Sequence, residues 1–226
     1  AFLYGTPNEK SSAIVRRAGL PTIGMLTRYT KVIRSASYWR RRIPRWLVIP
    51  AAMLADAAII GTDLGHALLR GRPYLWGERS EFGPEIEAVW ERREPEGVYG
   101  DRSAAILAWR YPSNGRSGSR RISVAMDRSG VPAGYVVWRN LHDTAMVSDF
   151  LFSGTDTALR TFLHAFAWYV RQFGVDRVSL EFFGREGVVH ALTKSGFASR
   201  EQSPIVCVDH AAGGVFISPS VAYVTS

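Results

Sequence analysis

Two carboxylates, Asp149 and Glu181, lie inside otherwise apolar runs of the sequence. A carboxylate that is partly buried beside a cleft can act as a general base, because loss of hydration raises its affinity for a proton. In an apolar strand such a group also commonly pairs with an arginine for structural reasons. Both residues are therefore candidates for proton transfer, and an arginine pair is the alternative for each.

Other side chains that often carry chemistry give little signal. No Gly-x-Ser-x-Gly motif is present, and the single cysteine, Cys207, lies in an apolar run without an obvious activating partner. His142, His164 and His210 lack metal-ligand spacing, and we expect them at the surface or at helix ends. The sequence therefore favours neither nucleophilic catalysis nor a metal centre.

An aromatic pair flanks an arginine at Trp109, Arg110 and Tyr111. Aromatic faces beside a guanidinium suit a sugar, a peptide or a carboxylate, so these three residues are candidate substrate contacts. The alternative is that they form the end of an amphipathic helix seated on a sheet.

Composition limits the class of protein. The chain has 226 residues, 46% hydrophobic and 21% charged, which is enough apolar material for a globular core and argues against disorder. Its formal charge of +8 favours anionic partners such as phosphates, nucleic acid or lipid headgroups. One cysteine rules out an intramolecular disulfide framework and no secretory signal is visible, so we expect a cytoplasmic protein.

The elements that must position these residues follow from the hydrophobic pattern. The predicted order is helices over 82–93 and 101–110, strands over 121–126, 133–138 and 145–152, a helix over 159–173, a strand over 178–183, a helix ending at 194, and strands over 205–208 and 215–217. The clearest element is the helix over 159–173, in which apolar residues recur at helical spacing before Gly174.

The start of the chain echoes a later part. Phe2–Gly5, a capped helix and Gly19-Leu20 match Glu181–Gly184, a helix and Gly196-Phe197. In both segments a strand ends in glycine, a helix of about three turns follows, and a glycine and an apolar residue lead into the next strand. The match predicts an internal repeat.

The repeat predicts a chain in three parts. Residues 1–34 are expected to be the C-terminal part of a first domain, 35–80 a basic and apolar helical linker, and 81–226 a second copy of the same fold. The first copy would then lack its opening half, which agrees with a length of about one and a half domains.

The predicted linker begins with the basic and aromatic segment Arg40–Trp46, which leads into the most apolar run, 47–69. A membrane-spanning helix here would have to carry Asp56, Asp63 and His66 in hydrocarbon, which is costly. A connecting helix with one narrow polar stripe is the favoured interpretation. Peripheral contact of Arg40–Trp46 with an anionic membrane stays open.

The order of elements from residue 82 resembles that of the GNAT superfamily of acyl-CoA-dependent N-acetyltransferases. Gly196-Phe197, which follows Ala191–Ser195, looks like the family's helix-to-strand "GF" signature, and the run Asp101–Tyr111 is similar to a bacterial branch in which tandem domains are common. The resemblance covers about two thirds of the chain. It implies an α+β fold in which a mixed central sheet is flanked by helices.

The resemblance also implies an acyl-CoA site, with acetyl-CoA or another acyl-CoA as the expected cofactor, where the strand over 145–152 leads into the long helix. Unpaired amides and the helix dipole favour a diphosphate there, and Gly154 permits close approach of the backbone. Asp156 departs from the family's basic, glycine-richer loop and would repel phosphates unless it turns away as the helix cap. The expected cofactor contacts are Leu151, Phe152, Ser153, Gly154, Thr155, Thr157 and Ala158.

Family members often place a proton-donating tyrosine in the helix before the "GF" signature. Leu192 stands at that position, and Val15 stands there in the first copy, so neither can donate a proton. The expected mechanism is therefore direct attack of an amine on the thioester, with Asp149 or Glu181 as the base.

These observations favour an acyl-CoA-dependent N-acyltransferase that transfers an acetyl group to an amine acceptor. One alternative is a noncatalytic binding or scaffold module with the same fold. Another is an aminoacyl or peptidyl transferase relative that acts on cell-envelope precursors. Neither zinc-finger nor RRM-type motifs occur, so we expect no specific nucleic-acid partner.

Overall fold

The chain is described by a computed structural model. The structure describes residues 2–7, 11, 13–14, 17–19, 21–35, 39, 44, 47, 49–50, 53–57, 59, 61, 74–93, 98–112, 120–209 and 222–225. The strands in these ranges are β1 (Phe2–Gly5), β2 (Thr22–Val32), β3 (Leu75–Arg79), β4 (Val98–Tyr99), β5 (Arg121–Met126), β6 (Pro132–Leu141), β7 (Thr144–Phe152), β8 (Arg177–Gly184), β9 (Ala198–Asp209) and β10 (Ala222–Thr225). The longer helices are α1 (Pro84–Glu91), α2 (Ala104–Arg110), α3 (Asp156–Val170) and α4 (Glu186–Lys194).

The described strands form one mixed sheet in the order β1-β9-β2-β8-β7-β6-β5-β3. Neighbours along this path are antiparallel except β7 and β8, which are parallel. β10 pairs with both β8 and β4, off this path. The parallel pair at the centre requires a crossover, and α3 supplies it.

Helices cover both faces of the sheet. Consecutive strand residues point to opposite faces, and Tyr135 to Trp138 of β6 are all at most 2% exposed. On one face the fully buried Phe166 ring of α3 meets Trp138 edge-on at 6.2 Å. On the other, Ile86 of α1 and Leu107 of α2 are fully buried. The central strands are therefore held rigidly from both sides.

Short local signals set the turns. Asp127 closes the β5–β6 hairpin, since its Oδ1 accepts hydrogen bonds from the amides of Ser129 and Val131 at 2.8 and 2.9 Å. Gly196 ends α4 with a φ of +84°, and Phe197 behind it is buried. The predicted "GF" turn from helix to strand is confirmed.

One histidine prediction is wrong. His164 of α3 is buried, and its Nδ1 lies 3.3 Å from Nζ of the buried Lys31 on β2. It shares a helix face with the buried Ala167, three residues further on, and this side of α3 contacts β2 through Lys31. His142 is exposed, in the β6–β7 turn, as expected, and His210 lies outside the described residues.

The first 34 residues contribute β1 and β2 to the same sheet as the rest. β2 lies between β8 and β9 and is antiparallel to both. A shift of 177 residues carries Gly19 onto Gly196 and Leu26 onto Ser203, and Leu26 is opposite Ser203 near the middle of the β2–β9 ladder. This is the pairing expected of two equivalent strands related by a local two-fold axis, and the division at residue 34 stays a prediction.

The described residues between 47 and 61 are helical. Asp56 in this stretch accepts a hydrogen bond from the amide of Ser35 at 2.6 Å, so it contacts the end of the β2 segment. Apart from Pro44, the segment Arg40–Trp46 lies outside the described residues, as does the predicted strand over 215–217. Within the described ranges, no helix is both long enough and apolar enough to cross a membrane.

Candidate functional site

The parallel strands β7 and β8 separate in the middle of the sheet. Their ladder ends at Val147 opposite Leu180. Beyond this pair β7 continues to Phe152 beside β6, while β8 continues to Gly184 with β2 on its far side. The two strands therefore leave an opening at their carboxyl ends. The residues predicted to contact the cofactor lie at this end of β7 and in the segment that follows it.

A β-bulge in β7 lies at the point of separation. Asp149 and Val147 are opposite consecutive residues of β6, so Ser148 between them is the additional residue. The hydroxyl of Tyr111, at the end of α2, donates a hydrogen bond to the Ser148 carbonyl at 3.0 Å. Among the predicted substrate contacts, Tyr111 is therefore the one that reaches the opening.

The other two predicted substrate contacts lie further out. Trp109 is 79% exposed and Arg110 is also exposed. The Arg110 guanidinium carbon lies 5.4 Å from the centre of the Tyr111 ring, which is within range of a cation–π contact. The structure thus places Trp109 and Arg110 on the solvent side of α2.

Asp149 is fully buried and forms an ion pair with Arg102, whose side chain is only 2% exposed. Arg102 Nε donates to Asp149 Oδ1 at 2.9 Å, and Arg102 Nη1 donates to the Gly100 carbonyl at 3.2 Å. A buried charge requires such a partner, since an isolated one would be strongly disfavoured. The pair ties β7 to the segment between β4 and α2.

Glu181 pairs with an arginine on the neighbouring strand. Arg28 of β2 donates to Glu181 Oε1 from Nε at 3.1 Å and from Nη2 at 2.8 Å, and Arg28 Nη1 reaches Glu201 Oε2 at 2.7 Å. Glu181 is 25% exposed and Arg28 is 37% exposed. The pKa of Arg28 is raised, above all by its hydrogen bond to Glu181, so the guanidinium stays charged.

Asp149 and Glu181 lie on the same face of the sheet. Val147 and Leu180 are lateral neighbours, and Glu181 follows Leu180 directly. The bulge at Ser148 turns Asp149 to the face opposite Val147. The structure therefore brings the two predicted bases to the same face of the sheet, one on each side of the opening.

The helix that follows β7 begins at the surface. Thr155 is its N-cap, and the Thr155 Oγ1 accepts a hydrogen bond from the amide of Ala158 at 3.3 Å. Gly154, Thr155 and Thr157 are exposed. The first-turn amides of Asp156 and Thr157 have no acceptor within the helix.

Asp156 does not cap α3 but turns to the start of α4. Both of its carboxylate oxygens accept hydrogen bonds from Arg185 Nη2, at 3.0 and 3.1 Å. Gly187 makes room for this approach, since a Cβ there would lie 1.7 Å from Asp156 Oδ2. The negative charge that disfavours a phosphate at α3 is therefore neutralised by an arginine.

The remaining predicted cofactor contacts form the wall of the same loop. Leu151 is buried, and Ser153 donates from both its amide and its hydroxyl to the Ala133 carbonyl, each at 3.0 Å. The Phe152 ring lies over Gly154, where a Cβ would be 2.6 Å from ring carbons. Glycine is thus required at residue 154 for the loop to lie against Phe152.

Several features of the site were outside the reach of the sequence pattern. The pattern did not identify Arg28, Arg102 and Arg185 as the partners of the three carboxylates. It also did not predict β4 and β10, which lie at the opening. Leu192, where the resemblance looks for a tyrosine, is fully buried in α4.

No protein-family model matches the sequence, and no curated protein sequence matches it. Solved structures do match. A conserved protein from Enterococcus faecalis V583, described as a probable N-acyltransferase, is 16% identical with a TM-score of 0.53, over 92% of this chain and 44% of its own. A GCN5-related N-acetyltransferase from Anabaena variabilis is 11% identical with a TM-score of 0.53, over 91% of this chain and 45% of its own.

Saccharomyces cerevisiae N-myristoyltransferase with bound myristoyl-CoA is 7% identical with a TM-score of 0.51, over 83% of this chain and 50% of its own. This chain thus spans half or less of the length of all three proteins. At these identities the similarity establishes the fold. The chain has the fold of the GCN5-related N-acetyltransferases, which confirms the predicted α+β architecture with a mixed central sheet flanked by helices.

Proposed function

We propose that this protein is an acyl-CoA-dependent N-acyltransferase that transfers an acetyl or another acyl group to an amine. The observation that carries the proposal is the exposed start of α3, which lies at the carboxyl end of β7 where β7 and β8 have separated. The similar yeast structure contains myristoyl-CoA, which supports the same class of ligand.

The residues at the start of α3 fit a diphosphate. The first-turn amides of Asp156 and Thr157 and the dipole of a 15-residue helix favour an anion. Arg185 removes the electrostatic objection to Asp156, and Gly154 leaves the loop backbone accessible. Acyl-CoA, when bound, supplies an acyl group already activated as a thioester.

The proposed chemistry is acyl transfer to nitrogen. The amine nitrogen forms a bond to the thioester carbonyl carbon, the carbon–sulfur bond breaks, and a proton passes from the nitrogen, by way of a base, to the medium or the departing sulfur. Glu181 is the accessible base, since it is partly exposed and both hydrogen bonds from Arg28 go to Oε1. Asp149, the other candidate, is fully buried against Arg102.

The test adds a charge at the start of α3 without harming the helix. Thr157→Asp places an acid in a first turn, where the helix dipole stabilises it, so the melting temperature should stay the same or rise. The same acid should weaken binding of coenzyme A at least about tenfold through repulsion of the diphosphate. Thr157→Ala is the neutral control, and isothermal titration is the measurement.

Two results would remove the proposal. One is coenzyme A binding that is equal in Thr157→Asp, Thr157→Ala and the unaltered chain, because the phosphates would then lie elsewhere. The other is no binding at millimolar coenzyme A to any form of the chain.

The second candidate function is a noncatalytic binding or scaffold module. It is favoured by the arginine pairs on both candidate bases and by Leu192 at the position of the family's tyrosine. The two functions differ in turnover: an enzyme releases free coenzyme A from acetyl-CoA with at least one member of a panel of primary amines, and a scaffold with none.

A further inference from the structure

The C-terminal strand β10 lies inside the opening between β7 and β8. β10 is antiparallel to β8, with Tyr223 opposite Gly184 and Thr225 opposite Phe182. Phe182 is also opposite Thr27 of β2. A strand has two edges, so β10 occupies the edge of β8 that faces away from β2, which is the edge that pairs with β7 earlier in the strand.

β4 connects this inserted strand to the ion pair between Arg102 and Asp149. Ala222 and Tyr223 of β10 are opposite Val98 and Tyr99 of β4 in a parallel pair. Gly100 follows β4 directly, and its carbonyl accepts a hydrogen bond from Arg102, the partner of Asp149. The strands in the opening are therefore linked to the buried ion pair on β7.

The insertion is short compared with the rest of the sheet. β10 has four residues and β4 has two, whereas β7 and β8 have nine and eight. Strands this short open at a much lower free energy than a central strand, because few hydrogen bonds break together. β8 keeps its pairing with β2 when β10 leaves, so the rest of the sheet stays intact.

We propose that β10 is an autoinhibitory strand, which must leave the opening before an acyl-CoA can enter between β7 and β8. The proposal rests on the proposed function, since it assigns to the same opening both β10 and the ligand. β10 and the ligand then exclude each other, and the affinity for the ligand is reduced by the fraction of molecules in which β10 is in place.

The experiment compares three forms of the chain by isothermal titration with coenzyme A. The first ends at residue 221, the second carries Val224→Pro, and the third carries Val224→Ala as the matched control. Proline lacks the amide hydrogen and is poorly tolerated inside a paired strand, whereas alanine keeps the backbone bonds. The point variants keep the full length, so the comparison survives if the shortened chain folds poorly.

We expect the shortened chain and Val224→Pro to bind coenzyme A at least about tenfold more tightly than Val224→Ala and the unaltered chain. Hydrogen exchange gives an independent readout: coenzyme A should increase exchange at the amides of 222–225 in the unaltered chain. Equal affinities in all forms, with no change in exchange, would overturn the autoinhibitory strand and leave the proposed function standing. If no form binds coenzyme A, both proposals fail.

Discussion

The opening has one carboxylate–arginine ion pair on each side, and the two pairs differ in their exposure to solvent. Asp149 pairs with Arg102 on the β7 side, and Glu181 pairs with Arg28 on the β8 side. The first pair is almost completely buried, while the side chains of the second are 25% and 37% exposed. Burial makes each partner of the first pair dependent on the other, because water cannot take the place of a missing partner at a buried charge. Exposure leaves the second pair in contact with solvent, which screens its charges and makes each partner less dependent on the other.

The difference in burial gives the two ion pairs different roles. The buried pair fixes the segment between β4 and α2 against the bulged strand, so it positions the groups around the opening. The second pair has a carboxylate that is partly open to solvent, as the base of the proposed function must be. Variants of the two pairs should therefore differ in which property they damage.

The largest effect is expected from Arg102→Ala. It leaves the Asp149 carboxylate buried without its guanidinium, and the free energy of unfolding should fall by about 3–5 kcal/mol. Urea denaturation followed by circular dichroism measures it. The control is the double variant Arg102→Leu with Asp149→Leu, which removes both charges and should recover most of the loss; a double variant as unstable as Arg102→Ala would show that packing, not charge, dominates there.

The second expected effect is on turnover, from Glu181→Gln. Loss of a general base typically lowers kcat by about 10²-fold or more, whereas loss of this partly exposed ion pair should lower the free energy of unfolding by less than about 1 kcal/mol. Coenzyme A release with the responsive amine measures the first, and urea denaturation the second.

Glu201→Gln is the matched control, because Glu201 is the other carboxylate on Arg28 and is 72% exposed. It should keep full activity. If Glu181→Gln keeps full activity as well, Glu181 is not the base. The two ion pairs then differ only in how much they contribute to the free energy of unfolding.

The part of this picture that could be predicted is the part set by neighbouring residues. The strand predicted over 121–126 is β5 itself, because its apolar run ends at the local Asp127 turn. The long helix was also predictable, since helical periodicity is a local signal, although the apolar spacing predicts 159–173 and α3 begins three residues earlier, at Asp156. The candidate bases and the loop after β7 were therefore placed on the correct elements.

The rest depends on contacts between distant residues. Arg102 is 47 residues from Asp149, and Arg28 is 153 residues from Glu181. In a chain with arginines throughout its length, charge alone cannot select one partner. β10 is four residues long, and its pairing exists only because β7 and β8 separate. No local window contains that information.

The smallest expected effect concerns another carboxylate–arginine pair, which lies on α1 and β3 and not on β7 or β8. Arg79 Nε donates to Glu85 Oε1 at 2.9 Å in the first turn of α1. The pKa of Glu85 is lowered, first by a hydrogen bond from its own backbone amide and then by Arg79. A lowered pKa in the folded state means that the ionised Glu85 carboxylate stabilises the fold above the ordinary pKa of 4.5, and that this contribution is lost as the pH falls through the lowered pKa.

Glu85→Gln should therefore reduce stability slightly at pH 7 and flatten the loss of stability between about pH 5 and pH 3. Urea denaturation across that range measures the difference from the unaltered chain, and Glu91→Gln, at the other end of α1, controls for the loss of one negative charge. A parallel acid profile for Glu85→Gln and the unaltered chain would show that this pair does not contribute. Because Glu85 lies on α1 and not on β7 or β8, the same variant should leave coenzyme A binding unchanged, which distinguishes an ion pair in the first turn of α1 from the pairs on β7 and β8.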